Sequence, residues 1–134
     1  MYYMNIELLD FKVMGDERGS LVSLEENKNI PFEIKRIYYI FGTKEKVRRG
    51  SHAHKKLKQV LICVSGSCSI FLDDGNETRT VFLNDPSKGL VIEHMIWREM
   101  YDFSPDCVLM VLADQYYDEA DYIRDYEEFS GGNE

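Results

Sequence analysis

Short runs of β-branched and aromatic residues, cut at close intervals by turn residues, constrain this chain more than any other feature. Residues 20–24, 34–41, 59–64, 68–72, 78–83, 90–92, 98–103 and 107–113 each read as a strand. Between them stand Ser65-Gly66, then Asp73-Asp74-Gly75-Asn76, then Asn84-Asp85-Pro86-Ser87-Lys88-Gly89, turn chemistry that joins antiparallel neighbours tightly. Eight strands in 134 residues predict one all-β domain over residues 1–134, built as two facing antiparallel sheets. A helical segment is expected only near the end, where Tyr116, Tyr117, Ala120, Ile123 and Tyr126 fall near a helical period. Residues 130–134 read as a frayed tail.

Charge divides the chain into regions with different partners. The net charge is −8, and residues 114–134 hold eight acids against Arg124 alone, so this tail supplies −7. Between Lys35 and Lys58 the balance reverses, with nine Lys or Arg and one acid, Glu45. Such a stretch can hold a diphosphate, or it can be a solvated basic face. An acidic protein with one small basic patch does not suit a nucleic acid, so no such partner is expected. Cys63, Cys68 and Cys107 are an odd number without zinc-type pairing and read as reduced core thiols. Acids and Lys12 interrupt the opening segment, and the longest uncharged stretch, 60–72, is too short for a membrane span. The expected setting is cytoplasmic, with no membrane partner.

The chemistry sits in Arg49-Gly50-Ser51-His52-Ala53-His54, followed by Gln59 and Gly66. Strand alternation puts His52 and His54 on one face, about 7 Å apart along the strand. Two such imidazoles can be metal ligands, proton-transfer groups at two atoms of one substrate, or a buried structural pair. The spacing resembles the first cupin motif, a Gly before a His-x-His pair with an acidic ligand after it. Gln59 stands where that family has its Glu, and Arg98 follows Trp97 where a third His would be expected. Two neutral rings and an amide beside a fixed cation make a poor metal shell, so no metal and no cofactor are expected, although His94 remains a conceivable substitute. Without an ion the rings are free for acid and base chemistry near neutral pH, and a proton next to a carbonyl is the natural target.

Further stretches carry a wider resemblance. Arg18-Gly19-Ser20-Leu21, the segment from Glu25 to Phe32, Tyr38-Tyr39-Ile40-Phe41, His52-Ala53-His54-Lys55-Lys56, Leu72-Asp73-Asp74-Gly75, Trp97 and Tyr116-Tyr117-Asp118-Glu119 are similar to the sugar nucleotide 3,4-ketoisomerases of the WxcM-like cupin group. The resemblance implies a cupin, RmlC-like jelly roll. It implies conversion of a thymidine-diphosphate-linked 4-keto-6-deoxy-glucose into its 3-keto isomer, for deoxysugars of bacterial surface polysaccharides. It also implies a homodimer, with residues 1–12, including Tyr2, Tyr3, Ile6, Leu8 and Leu9, as a strand-exchanged arm. Carried over by position, His52 and His54 become the catalytic pair, acting through an enediol or enediolate. Tyr39, Tyr38 and Arg49 are candidate donors to its charge, and Arg49 and Arg18 suit the diphosphate or sugar. Gln59 is placed among the substrate contacts, and Trp97 either stacks on thymine or plugs the barrel. Arg98 stands where some relatives with a galacto-configured product have His, which points to a gluco-configured product. A 3,5-epimerase of related fold, a noncatalytic sugar-nucleotide binder and a metal-dependent oxygenase are the competing readings.

Overall fold

Both sheets of the expected sandwich are present in a computed structural model that describes residues 4–44 and 46–131. The strands are β1 (Glu7–Asp10), β2 (Met14–Asp16), β3 (Gly19–Leu21), β4 (Arg36–Ile40), β5 (Arg49–His54), β6 (Gln59–Ser65), β7 (Cys68–Asp73), β8 (Thr78–Leu83), β9 (Lys88–Ile92), β10 (Trp97–Tyr101), β11 (Val108–Ala113) and β12 (Tyr122–Ile123). One sheet runs β1-β9-β6-β11-β4 and the other β12-β5-β10-β7-β8, while β2 and β3 form a separate hairpin. Every ladder is antiparallel. A 3-10 turn at Glu119–Asp121 precedes β12, and helix α1 spans Tyr126–Gly131. No helix among the described residues is long and apolar enough to cross a membrane.

Three apolar layers hold the sheets. Leu61, Leu90, Ile92, Leu109 and Val111 of the first sheet meet Ile70, Leu72, Leu83 and Met100 of the second. Behind the first sheet, Phe11, Ile30 and Phe32 cover Val60, Ile62, Val91 and Leu112. Because β6 is covered on both faces, its sequence Val-Leu-Ile-Cys is continuously apolar instead of alternating. Behind the second sheet, Phe129 of α1 packs with Ala53, Trp97 and Ile123.

Four strands lie outside the sequence-based set. β1, β2 and β12 are short, and β5 contains no β-branched residue, so propensity does not reveal it. β5 forms because its backbone pairs with β10 on one side and β12 on the other. Ser130 and Gly131 belong to α1 and correct the expected fraying there; residues 132–134, like Tyr2 and Tyr3 of the expected arm, lie outside the described residues. β1 itself pairs with β9 of the same chain, Leu8 opposite Leu90.

One irregularity of β5 shapes the surroundings of the histidine pair. Arg98 stands opposite His52 but Glu99 opposite Gly50, so Ser51 is an extra residue in β5, a β-bulge. Gly50 and Ser51 take φ of 86° and 49°, and a Cβ on Gly50 would press within 3.1 Å of the Arg98 carbonyl. Glycine fits there because it carries no Cβ to collide.

Candidate active site

The bulge at Ser51 turns the Gly50 carbonyl beneath the ring two residues on. His52 Nδ1 lies 2.7 Å from the Gly50 oxygen. A carbonyl only accepts, so Nδ1 carries the proton and Nε2 keeps its lone pair. His54 is fixed differently, its Nδ1 standing 3.1 Å from Asp121 Oδ2 across a long stretch of chain. That carboxylate is itself held by the backbone N–H groups of Lys56 at 2.8 Å and Leu57 at 3.3 Å. His54 Nε2 is buried and has no partner. The ring centroids are 4.8 Å apart and meet edge to face, closer than the 7 Å strand repeat, because the side chains converge beyond their Cβ atoms.

Both rings are neutral at physiological pH. Burial, then the Arg98 charge, lowers His52 to about 4. Burial, then Arg98, His52, Arg36 and Arg124, lowers His54 to about 2. With Nδ1 committed in each, two Nε2 lone pairs are available as bases beside one another.

Arg98 is the third member. Its guanidinium is fully buried, and Nη1 donates to Gln59 Oε1 at 2.5 Å while Nε donates to the Ile96 carbonyl at 3.1 Å. Burial lowers its pKa to about 10, which leaves it a cation at neutral pH. Nη2 is buried without a partner. Gln59 passes the network on, donating from Nε2 to the Tyr38 hydroxyl at 3.1 Å. An unpaired buried donor on Arg98 and an unpaired buried acceptor on His54 each cost about 1–3 kcal/mol, which a bound hydroxyl or carbonyl would relieve.

This cluster borders an open cavity of about 490 Å³ lined by Arg36, Tyr38, Arg48, Arg49, His52, Tyr122 and Arg124, among others. Arg48 is paired with Glu99 and Arg124 with Glu119, whereas no carboxylate pairs with Arg36 or Arg49 among the described residues. Such a rim suits an anionic, bidentate ligand.

The donor set does not fit a divalent ion. Both Nε2 atoms could bind a metal, but Gln59 Oε1 is taken by Arg98, no third His, Cys, Asp or Glu ligand atom joins the rings among the described residues, and a cation between them would face the buried Arg98 guanidinium. His94 is exposed and lines a different cavity, so it does not complete a shell.

Three sequence-based candidates stand apart from the cluster in the chain. Tyr39 points outward from β4, 63% exposed, because Arg36, Tyr38 and Ile40 take the inner face. Arg18 lies on the β2–β3 hairpin, exposed and paired with Asp16. Trp97 faces away from its neighbour Arg98, buried against Tyr126 and Phe129 and donating to Glu99 Oε2 at 2.9 Å, so it anchors α1. Trp97→Ala is accordingly expected to lower stability by about 3–5 kcal/mol in urea denaturation while leaving nucleotide affinity unchanged.

Sequence reasoning missed Asp121, Tyr122, Arg36 and Arg124. Tyr122 packs on both imidazoles, with centroids at 5.0 and 4.3 Å, and the Arg124 guanidinium lies over the Tyr122 ring, 4.2 Å from its centre. All but Arg36 sit in the acidic tail, where the surplus of carboxylates suggests only solvation.

A pair of partnered histidines and a buried guanidinium on a jelly roll invites comparison with known proteins. The family model FdtA, described as WxcM-like, C-terminal, matches residues 4–133. The chain belongs to this family. A curated TDP-4-oxo-6-deoxy-alpha-D-glucose-3,4-oxoisomerase from Aneurinibacillus thermoaerophilus is 58% identical over 126 residues, 94% of this chain and 91% of that protein. A crystal structure of a mutant of the 3,4-ketoisomerase QdtA from Thermoanaerobacterium thermosaccharolyticum, in complex with TDP-4-keto-6-deoxyglucose, aligns with a TM-score of 0.94 at 48% identity, covering 98% of this chain and 95% of that one. The WlaRB TDP-quinovose 3,4-ketoisomerase from Campylobacter jejuni aligns with a TM-score of 0.91 at 51% identity, covering 96% and 99%. In this chain the FdtA-family jelly roll surrounds the cluster of His52, His54 and Arg98.

Within that cluster Asp121 Oδ2 accepts from His54 Nδ1, and this contact can be tested. Asp121→Asn keeps the shape but can donate to Nδ1, which favours the tautomer with its proton on Nε2. Turnover is expected to fall by at least about tenfold with KM little changed, measured by steady-state kinetics.

Proposed function

We propose that this FdtA-family chain is a ketoisomerase that moves the carbonyl of TDP-4-keto-6-deoxyglucose from C4 to C3, with His52 and His54 as its proton-transfer groups. The observation that carries this reading is the pair of neutral rings whose Nε2 atoms are both left as acceptors beside a buried cation. One imidazole removes the proton from C3. The electron pair of that C–H bond becomes the C3–C4 double bond, and O4 gains negative charge or a proton. Arg98 is placed to hold that charge without moving. Return of a proton to C4 and loss of one from the C3 hydroxyl then leave the carbonyl at C3, with no net redox change. Arg36, Arg49 and Arg124 suit the diphosphate.

Because Arg98 stays a cation, it does not deliver a proton to C4, which is reprotonated on the ring face opposite the one that lost the C3 proton. The product is therefore gluco-configured. Two copies of the chain work together, with β1 exchanged onto the partner's β9 in the register seen within one chain, and with Ile37, Tyr39 and Phe41 as an apolar strip for the partner. The setting is the cytoplasm, where nucleotide sugars are made.

Incubating the purified protein with TDP-4-keto-6-deoxyglucose in heavy water and monitoring it by NMR tests the activity. Growth of a C3 carbonyl with C5 unexchanged supports it. Exchange at C5 would mark an epimerase, and an unchanged substrate bound tightly would mark a binder.

The depressed imidazole pKa values set the pH response. A base works only unprotonated, so lowering its pKa moves the acid limb of the profile to lower pH. kcat/KM is expected to stay flat from pH 8 to about 5.5, whereas an ordinary histidine would give a limb near 6.5. A limb near 6.5 would show that the rings are not held neutral in the free enzyme.

A further inference from the structure

The end of the sandwich remote from the histidines holds a second cluster that the reaction does not use. On β6 the inward residues are Gln59, Leu61 and Cys63, so Cys63 lies four residues, or about 13 Å, beyond the Arg98 network. Cys68 opens β7 from the opposite sheet, and Cys107 immediately precedes β11. The three side chains converge: their Sγ atoms all lie within 4.8 Å of one another, with Cys63 and Cys107 at 3.7 Å. All are unoxidised thiols and 2% exposed or less. Among the described residues this is the one group of three or more His, Cys, Asp or Glu side chains arranged to share an ion.

We propose that Cys63, Cys68 and Cys107 form a three-sulfur site for a soft, thiophilic d10 metal ion of the copper(I) or mercury(II) kind. The geometry is close to what such an ion needs. With metal–sulfur bonds of about 2.3 Å, three sulfurs in a plane around one ion are about 4.0 Å apart, so the thiols need only small rotations. The surroundings select the ion. The thiols belong to an apolar cluster with Leu61, Ile70, Leu83, Met100, Phe103 and Leu109, while the Ser65 carbonyl lies 3.2 Å from Cys63 Sγ and the Asp106 charge acts on Cys63 and Cys107. Hard ions that want several oxygens are disfavoured by three sulfurs, and no fourth His, Cys, Asp or Glu ligand atom for zinc joins the group among the described residues; three-coordinate sulfur is a habit of soft ions. Each thiol that binds releases its proton to the buffer, so three thiolates leave the site with a net charge of −2 around copper(I) and −1 around mercury(II).

The consequence is mechanical. Cys63 and Cys107 belong to one sheet and its approach, Cys68 to the other, so an ion there ties the two sheets together at the end remote from the histidines. Stability should rise with free ion concentration by mass action, while the catalytic end is undisturbed.

The test uses the reduced, full-length chain without oxygen. Copper(I) is offered in competition with a chromophoric copper(I) chelator, both to the folded protein and during refolding from denaturant, which removes any barrier to entry. The expected result is one ion per chain, a raised Tm, and an X-ray absorption spectrum with three sulfur neighbours and no nitrogen or oxygen. Cys107→Ala and Cys68→Ala, each expected to keep normal ketoisomerase turnover, should weaken binding at least tenfold. Mercury(II) should give the same stoichiometry and a sulfur-to-metal charge-transfer band. Less than one ion per chain after refolding, binding that survives both substitutions, or nitrogen and oxygen in the coordination sphere would overturn the site. The spectrum of the unsubstituted protein decides the matter even if a variant fails to fold.

Discussion

His52→Asn and His54→Asn are each expected to lower turnover by at least about a hundredfold, the ordinary range for a lost general acid or base being about 10²- to 10⁴-fold. Asparagine keeps a polar group near the position of Nδ1, so the bond to the Gly50 carbonyl or to Asp121 has a replacement while Nε2 is removed. The fold should survive, as judged by circular dichroism and an unchanged urea midpoint, and affinity for TDP should stay close to wild type because the arginine rim is intact. The double variant should be little worse than the poorer single one if both rings serve one proton path. Near-normal turnover in both variants would remove the mechanism.

Arg98 carries the second large effect. Arg98→Met keeps the volume but deletes the fixed charge facing both rings, and turnover should fall by about 10²- to 10³-fold, the scale on which a preorganised donor to a developing oxyanion acts. The same change should raise both histidine pKa values, since Arg98 is the largest charge holding each of them down, and the acid limb should move to higher pH. A merely structural arginine would not shift that limb. Arg98→His puts a titratable ring on the opposing strand, opposite His52, and is expected to bring a galacto-configured product into the mixture. The coupling between the C4 and C5 protons separates the two products, being large when both are axial and small when C4 is inverted. An unchanged product at full rate would show that Arg98 does not select the face.

The sequence made the sandwich legible where strands announce themselves by branched and aromatic runs, as in β6, β7, β8 and β11. It hid β5, whose residues Arg-Gly-Ser-His-Ala-His favour no strand and which owes its shape to neighbours far along the chain. The paired histidines were readable from strand alternation alone. Alternation also sets a limit that the candidate residues ignored: Tyr38 and Tyr39 are adjacent on one strand, as are Trp97 and Arg98, so only one of each pair can face the cavity. Which one does so depends on register, and register is set by partners such as Met110 opposite Tyr39 and Leu72 opposite Arg98. Asp121 was illegible for another reason. One carboxylate among the eight in the tail reaches His54 only because β12 lies against β5, a contact between residues more than sixty positions apart.

A crystal structure of His52→Asn with TDP-4-keto-6-deoxyglucose bound is the most direct examination of the proton path. The sugar's C3–C4 edge should lie within about 3.5 Å of His54 Nε2 and beside the space vacated by the His52 ring, with O4 toward Arg98 and the diphosphate among Arg36, Arg49 and Arg124. A hexose seated on another face of the sandwich, or a His54 ring turned away from it, would contradict the account.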